Sequence, residues 1–160
     1  MIKLNEIQAK YGECFVDEDK LKELLVKPKP KTVWDLKNRD TYYFIETNGG
    51  VYSCYWLADE NDLCRIEFGN VFLTKEEAEF ELERRKCEAI MLKYGRRTFK
   101  YEQNNYLIRF NNSDEKVEVG FWSVYQFQGT IYFDTEELAQ KAINEIGEER
   151  LKKYIFRVEK

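Results

Sequence analysis

Carboxylates, cysteines and basic runs are the groups in this sequence that could do chemistry, and histidine is not among them, because the chain contains none. That removes Ser-His and Cys-His nucleophile pairs, imidazole metal ligands and the usual pH switch near neutrality. Glu76, Glu77, Glu79, Glu81 and Glu83 crowd one predicted helix, where their spacing points them around the axis instead of toward one another. Asp59, Glu60 and Asp62 fall in a predicted acidic loop whose oxygens suit a hard cation, yet the glycine turn and terminal glutamate of a calcium loop are missing. A solvated acidic surface is therefore expected there, and no metal. Cys14, Cys54, Cys64 and Cys87 form no CxxC pair and read as reduced thiols of a cytosolic protein. Gly49-Gly50 joins strand to strand with no helix behind it, so it is not a phosphate loop, and no nucleophile elbow, HExxH or Walker lysine occurs. The expectation is a protein that is not an enzyme, with no catalytic residue and no cofactor.

Two constellations suit binding. Arg84, Arg85, Lys93, Arg96, Arg97 and Lys100 cluster near a predicted helix C-terminus, where cations complement the helix dipole. With Phe99 and Tyr101 beside them they also suit a single-stranded DNA or RNA surface of alternating cations and rings. The balance of 26 Lys+Arg against 30 Asp+Glu gives −4, which argues against a dedicated duplex-DNA binder. It permits the opposite role, docking on the basic surface of a nucleic-acid-binding protein.

The second constellation is aromatic. Phe, Trp and Tyr make up 16% of the chain and lie on both pleat faces of the predicted strands. Tyr43 and Ile45 share one face, and Tyr42 and Phe44 the other; near Trp122, the rings of Phe121, Tyr125 and Phe127 are expected on the opposite face. Only one face of a sheet can meet the chain's own helices. The surplus serves either cross-strand stabilisation or a partner. As partner-binding residues the sequence offers Tyr42, Tyr52, Trp56, Trp122 and Tyr125 as anchors, with Asp59, Glu60 and Asp62 at the rim.

These residues must be positioned by a fold. Pro28 and Pro30, in a run of lysines, predict a stiff linker after a short helical arm, so residues 1–31 are set apart. From Val33 the order of elements repeats. A strand over Thr41–Glu46, a turn at Asn48-Gly49-Gly50 and a strand over Val51–Leu57 lead through the acidic loop to a third strand ending at Phe72. Thr74 and Glu77 form a capping box ahead of a helix to about Tyr94, with Ala78, Leu82, Ala89 and Ile90 inward. The second copy has strands over Tyr106–Phe110, Lys116–Phe127 and Gly129–Phe133, then a helix capped by Thr135 and closed by Gly147. The expected fold class is α+β: β-β-β-α modules over residues 32–100 and 101–160, sharing one antiparallel sheet with both helices on one face. No signal peptide or membrane span is read in the chain, and a bacterial cytoplasm is the expected location.

The phrases Thr41-Tyr-Tyr-Phe-Ile-Glu46, Gly69-Asn-Val-Phe-Leu-Thr-Lys-Glu-Glu-Ala-Glu79 and Gly129-Thr-Ile-Tyr-Phe-Asp-Thr-Glu-Glu-Leu-Ala139 carry a resemblance. From about Trp34 onward the chain resembles a group of small uncharacterised accessory proteins of phages and prophages of Gram-positive bacteria. These share the Trp…Tyr-Tyr opening and the Gly-Asn-x-Phe-x-Thr-Lys-Glu-Glu-Ala helix start. The resemblance implies a fold and a genetic setting, and no catalytic residue. It implies a factor that binds and inhibits a host protein, in its sharpest form an anti-CRISPR-like inhibitor of a nucleic-acid-binding effector.

Overall fold

The Asn48-Gly49-Gly50 turn closes the first hairpin as its residue types demand. Asn48 Oδ1 accepts from the Gly50 amide at 2.8 Å, and Gly49 takes φ +77°, a conformation that costs glycine nothing. β1 (Thr41–Ile45) and β2 (Val51–Tyr55) pair antiparallel with Tyr43 opposite Ser53. The computed structural model describes residues 32–158 together with residues 9, 10 and 12. The chain separates into two compact units, residues 1–32 and 33–160. The expected arm and linker over residues 1–31, and Cys14, lie outside the described residues apart from the three named.

The first correction to the sequence reading falls at the acidic loop. Residues after Asp59 form a helix, α1 (Glu60–Glu67), and not a loop leading into a strand. Asp59 is its N-cap, accepting from the Asp62 amide at 2.9 Å. Its end is a Schellman motif: the Asn70 amide donates to the Arg65 carbonyl and the Gly69 amide to that of Ile66, with Gly69 at φ +64°. Apolar spacing alone could not separate these eight residues from a strand, but Asp59 before them and Gly69 after them are the stops of a short helix.

What remains of the expected third strand is one residue. Phe72 and Tyr43 exchange both backbone hydrogen bonds, at 2.8 and 2.9 Å. The capping box then starts α2 (Lys75–Tyr94): Thr74 Oγ1 accepts from the Glu77 amide, and Glu77 Oε2 accepts from the Thr74 amide. Cys87 and Met91 are its deeply buried residues beyond Ala78, while Ala89 is exposed, contrary to its expected inward placement.

The second half follows the same order with a difference. β3 (Asn105–Asn111) and β4 (Lys116–Trp122) form the second hairpin, and β4 stops at Trp122 instead of running to Phe127. Phe133 exchanges both backbone bonds with Tyr106, as Phe72 does with Tyr43. Thr135 caps α3 (Glu136–Ile146), and Gly147 ends it at φ +88°. A short α4 (Glu148–Arg150) leads into a π-helical turn, Leu151–Ile155.

The fold is mixed α+β, but the two hairpins remain separate two-stranded sheets and do not join. Each has its own core. Tyr42, Phe44, Trp56, Ile66 and Val71 form the smaller one, under α1. The larger gathers Cys87, Met91, Ile108, Phe133, Ile143 and Leu151 between α2, α3 and the second sheet. Among the described residues no helix is long and apolar enough to cross a membrane.

Candidate functional site

From Gly120 to Phe133 the chain carries no charged residue, although charged residues make up 35% of the whole. Nine of the residues in that stretch are aromatic or β-branched, and the two hairpin strands cannot hold them all. Once β4 ends, the chain turns back irregularly, and the period of two that would alternate its side chains ends with it. Tyr125 and Phe127 therefore join Trp122 instead of opposing it. Their rings meet the indole edge-on, at 5.7 and 5.8 Å between centroids. Trp122 remains 39% exposed, Phe127 43% and Tyr125 63%. Phe121 points to the other face of β4, stacked on Tyr106 at 5.8 Å, and it too is exposed.

Buried polar groups fix this surface from beneath. Tyr132 is fully buried, and its hydroxyl accepts from the Phe127 amide at 2.7 Å and donates to the Phe127 carbonyl at 3.2 Å. Asn105, opposite Trp122 in the ladder and also fully buried, donates to the carbonyls of Lys100, Gln103 and Trp122. Its Oδ1 accepts from the Lys100 amide and from Arg96 Nη2. The Glu102 amide donates to the Ser123 carbonyl at 3.0 Å, which ties exposed Tyr101 to the same edge. Rigid, neutral, exposed rings of this kind are what protein interfaces use as anchors, because they bury large area with little loss of side-chain entropy.

The eight residues expected to bind a partner do not converge. Tyr42, Trp56 and Asp62 are interior, at 0%, 9% and 2% exposure, and are corrected from surface to core. The Tyr42 hydroxyl donates to Asp62 Oδ1 at 2.5 Å, the Leu57 amide donates to Asp62 Oδ2 at 2.7 Å, and Arg65 Nη1 donates to the Tyr42 oxygen at 2.7 Å. Burial pushes the Asp62 carboxyl up, but these donors and Arg65 outweigh it and hold the group below its ordinary range. Burial and the bond to Asp62 push the Tyr42 phenol up to about 12. Asp59 is occupied as a cap, so it and Asp62 do not form an acidic rim. Glu60 and Tyr52 are exposed on the first-sheet side, and only Trp122 and Tyr125 share one surface. Phe127 completes that cluster. The signal that marks it in the sequence is the uncharged stretch, not strand periodicity.

The six cations of the nucleic-acid reading are all engaged. Arg84 binds Glu81 and Glu88, and Arg85 binds Glu81. Lys93 binds Glu145, and Arg97 binds Glu88. Arg96 and Lys100 meet on Asp134 Oδ1 at 2.9 and 2.8 Å. The carboxylates respond: Lys100 and Arg96 hold Asp134 below its usual range, and Glu81 and Glu88 are lowered by their arginines against the upward push of burial.

An open cleft of about 930 Å³ lies beside the C-terminal turn, lined by Phe110, Arg150, Lys152 and Tyr154 among others. Two of its cations have carboxylate partners, Glu83 for Arg150 and Glu148 for Lys152. No group of three or more Cys, Asp or Glu among the described residues is placed to hold a metal ion. No family model, no curated protein and no solved structure matches the chain.

Proposed function

We propose that this is a non-enzymatic protein that acts by binding another protein through the Trp122–Tyr125–Phe127 surface, with Tyr101 and Phe121 at its margin. One observation carries this: three exposed rings, two of them packed edge-on against Trp122, in an uncharged stretch, held rigid by the buried Tyr132 and Asn105. Burying an exposed side chain of this kind fully contributes about 1.5–3 kcal/mol, and the area these rings still expose contributes a share of that, concentrated in a few anchors as in protein interfaces. The resemblance to phage and prophage accessory proteins supports a host protein as the partner, in the bacterial cytoplasm, with inhibition of a nucleic-acid-binding defence effector as the outcome. It also supports a tandem origin for the two β-hairpin-and-helix halves, each with a Phe bridge and a Thr cap. Contact depends on rings more than on charge, since Asp59 is engaged as a helix cap and Asp62 is buried. The nucleic-acid alternative ranks second because its cations are paired.

The test is a photo-crosslinking amino acid placed at Tyr125 and, as control, at exposed Lys141 on α3, with the protein expressed in a Gram-positive host. A discrete crosslinked species from position 125 that is absent from position 141, and lost on Trp122→Ala, supports the assignment. Equal crosslinking from both positions, or none, contradicts it.

A further inference from the structure

Among the described residues no strand pairs with the outer edge of β2. Tyr43 turns both its backbone groups to Phe72, away from β2, so Ser53 opposite it takes no part in the β1–β2 ladder. By the same alternation the amides and carbonyls of Val51, Ser53 and Tyr55 point to the far side, where none of them has a hydrogen-bond partner among the described residues. Ser53 and Tyr55 are exposed, and Tyr55 retains 63% of its surface. Natural sheets blunt such an edge with lysine, proline or a bulge. Here no charged residue and no proline occurs from Thr47 to Ala58, and β2 pairs residue for residue without a bulge.

We propose that β2 pairs antiparallel with β2 of a second copy of this chain, about a two-fold axis at Ser53. With Ser53 opposite Ser53, Val51 falls opposite Tyr55 in both directions, so every outward amide meets an outward carbonyl. An uncharged strand also places no like charges across the axis, which self-pairing requires and pairing with a foreign strand does not. The product is a four-stranded sheet, β1–β2–β2–β1, whereas a lone two-stranded hairpin is marginal in stability.

Sedimentation velocity on the full chain, from low micromolar to near-millimolar concentration, tests this. The expected result is a concentration-dependent shift from 19.3 kDa to twice that mass. Ser53→Pro deletes an outward donor that the β1 ladder does not use, so it should leave the circular dichroism unchanged and weaken association by about tenfold or more. Ser53→Lys, which keeps the amide but sets two cations face to face, should weaken it as well and guards against a folding defect in the proline variant. A monomer at every concentration overturns the proposal, as does a dimer that persists undiminished in both variants. A monomer whose Val51, Ser53 and Tyr55 amides are protected from exchange also overturns it, and assigns the edge to other residues of the chain.

Discussion

The Tyr42 hydroxyl and Asp62 Oδ1 lie 2.5 Å apart in the interior of the first sheet's core, joining the middle of β1 to the first turn of α1. A carboxylate this buried is tolerable only because three donors converge around it and its phenol partner: the Tyr42 hydroxyl and the Leu57 amide on its two oxygens, and Arg65 on the phenol oxygen. Arg65 itself lies over the Phe44 ring at 3.7 Å, so its charge is sandwiched between a ring and the phenol oxygen.

Tyr42→Phe leaves Asp62 short of a donor and Arg65 short of an acceptor. The variant should lose about 1–3 kcal/mol of stability in urea denaturation. Combined with Asp62→Ala the loss should be less than the sum of the two, because both remove the same bond. Additive losses would show that the pair does not act as a unit.

The same pair sets the pH limits of this half. Asp62 titrates lower in the folded state than its ordinary value, so its contribution is present above about pH 3.9 and is lost as pH falls through the folded value. Tyr42 is raised from 10.0 to about 12, so its contribution is present below the ordinary value and is lost as pH rises through about 12. Phenol absorbance should show one tyrosine ionising late, together with unfolding. Tyr42→Phe should lack that step, and Asp62→Asn should be less sensitive to acid.

Asn105 is the corresponding lock in the second half. Asn105→Ala removes a fully buried amide that donates to three carbonyls and accepts from two donors, and should cost about 2–4 kcal/mol. Hydrogen exchange at the Lys100 amide should accelerate beyond the global change, since that bond ends on Asn105 Oδ1. A uniform change across the chain would deny Asn105 its local role.

The basic cluster should bind labelled single-stranded DNA weakly and with a shallow salt dependence, because few of its cations are free to displace counterions. Glu88→Gln with Asp134→Asn releases Arg97, Arg96 and Lys100 from their carboxylate partners, leaving Arg84 on Glu81, and should steepen that dependence. Tight, steeply salt-dependent binding by the unaltered protein would restore the nucleic-acid reading.

Local chemistry made part of this legible in advance. Thr74, Glu77, Thr135 and Gly147 are cap residues whose partners lie within four positions, and both capped helices stand where those residues place them. The Asn-Gly-Gly turn fixed its hairpin in the same way. The helix α1 was hidden because Asp59, Glu60 and Asp62 look like a solvated loop until Tyr42, twenty residues earlier, is seen to need Asp62. The two sheets look continuous in the sequence because their strands are alike, yet they stay separate, and the third strand of each half is reduced to an isolated bridge at Phe72 or Phe133. The ring surface was half visible. Trp122 and Tyr125 stand out by type, but strand alternation past Trp122 places Tyr125 and Phe127 on the opposite face, and β4 ends at Trp122.

The central claim is that the surface around Trp122 is occupied by another protein in the cell. Its most direct measurement is site-specific photo-crosslinking from position 125 in living cells, with melting temperature followed in parallel. One adduct of defined mass from that position, abolished by Trp122→Ala at unchanged melting temperature, is the predicted result. No position-dependent adduct, with Trp122→Ala changing only the melting temperature, would mean that the three rings serve the fold and nothing outside it.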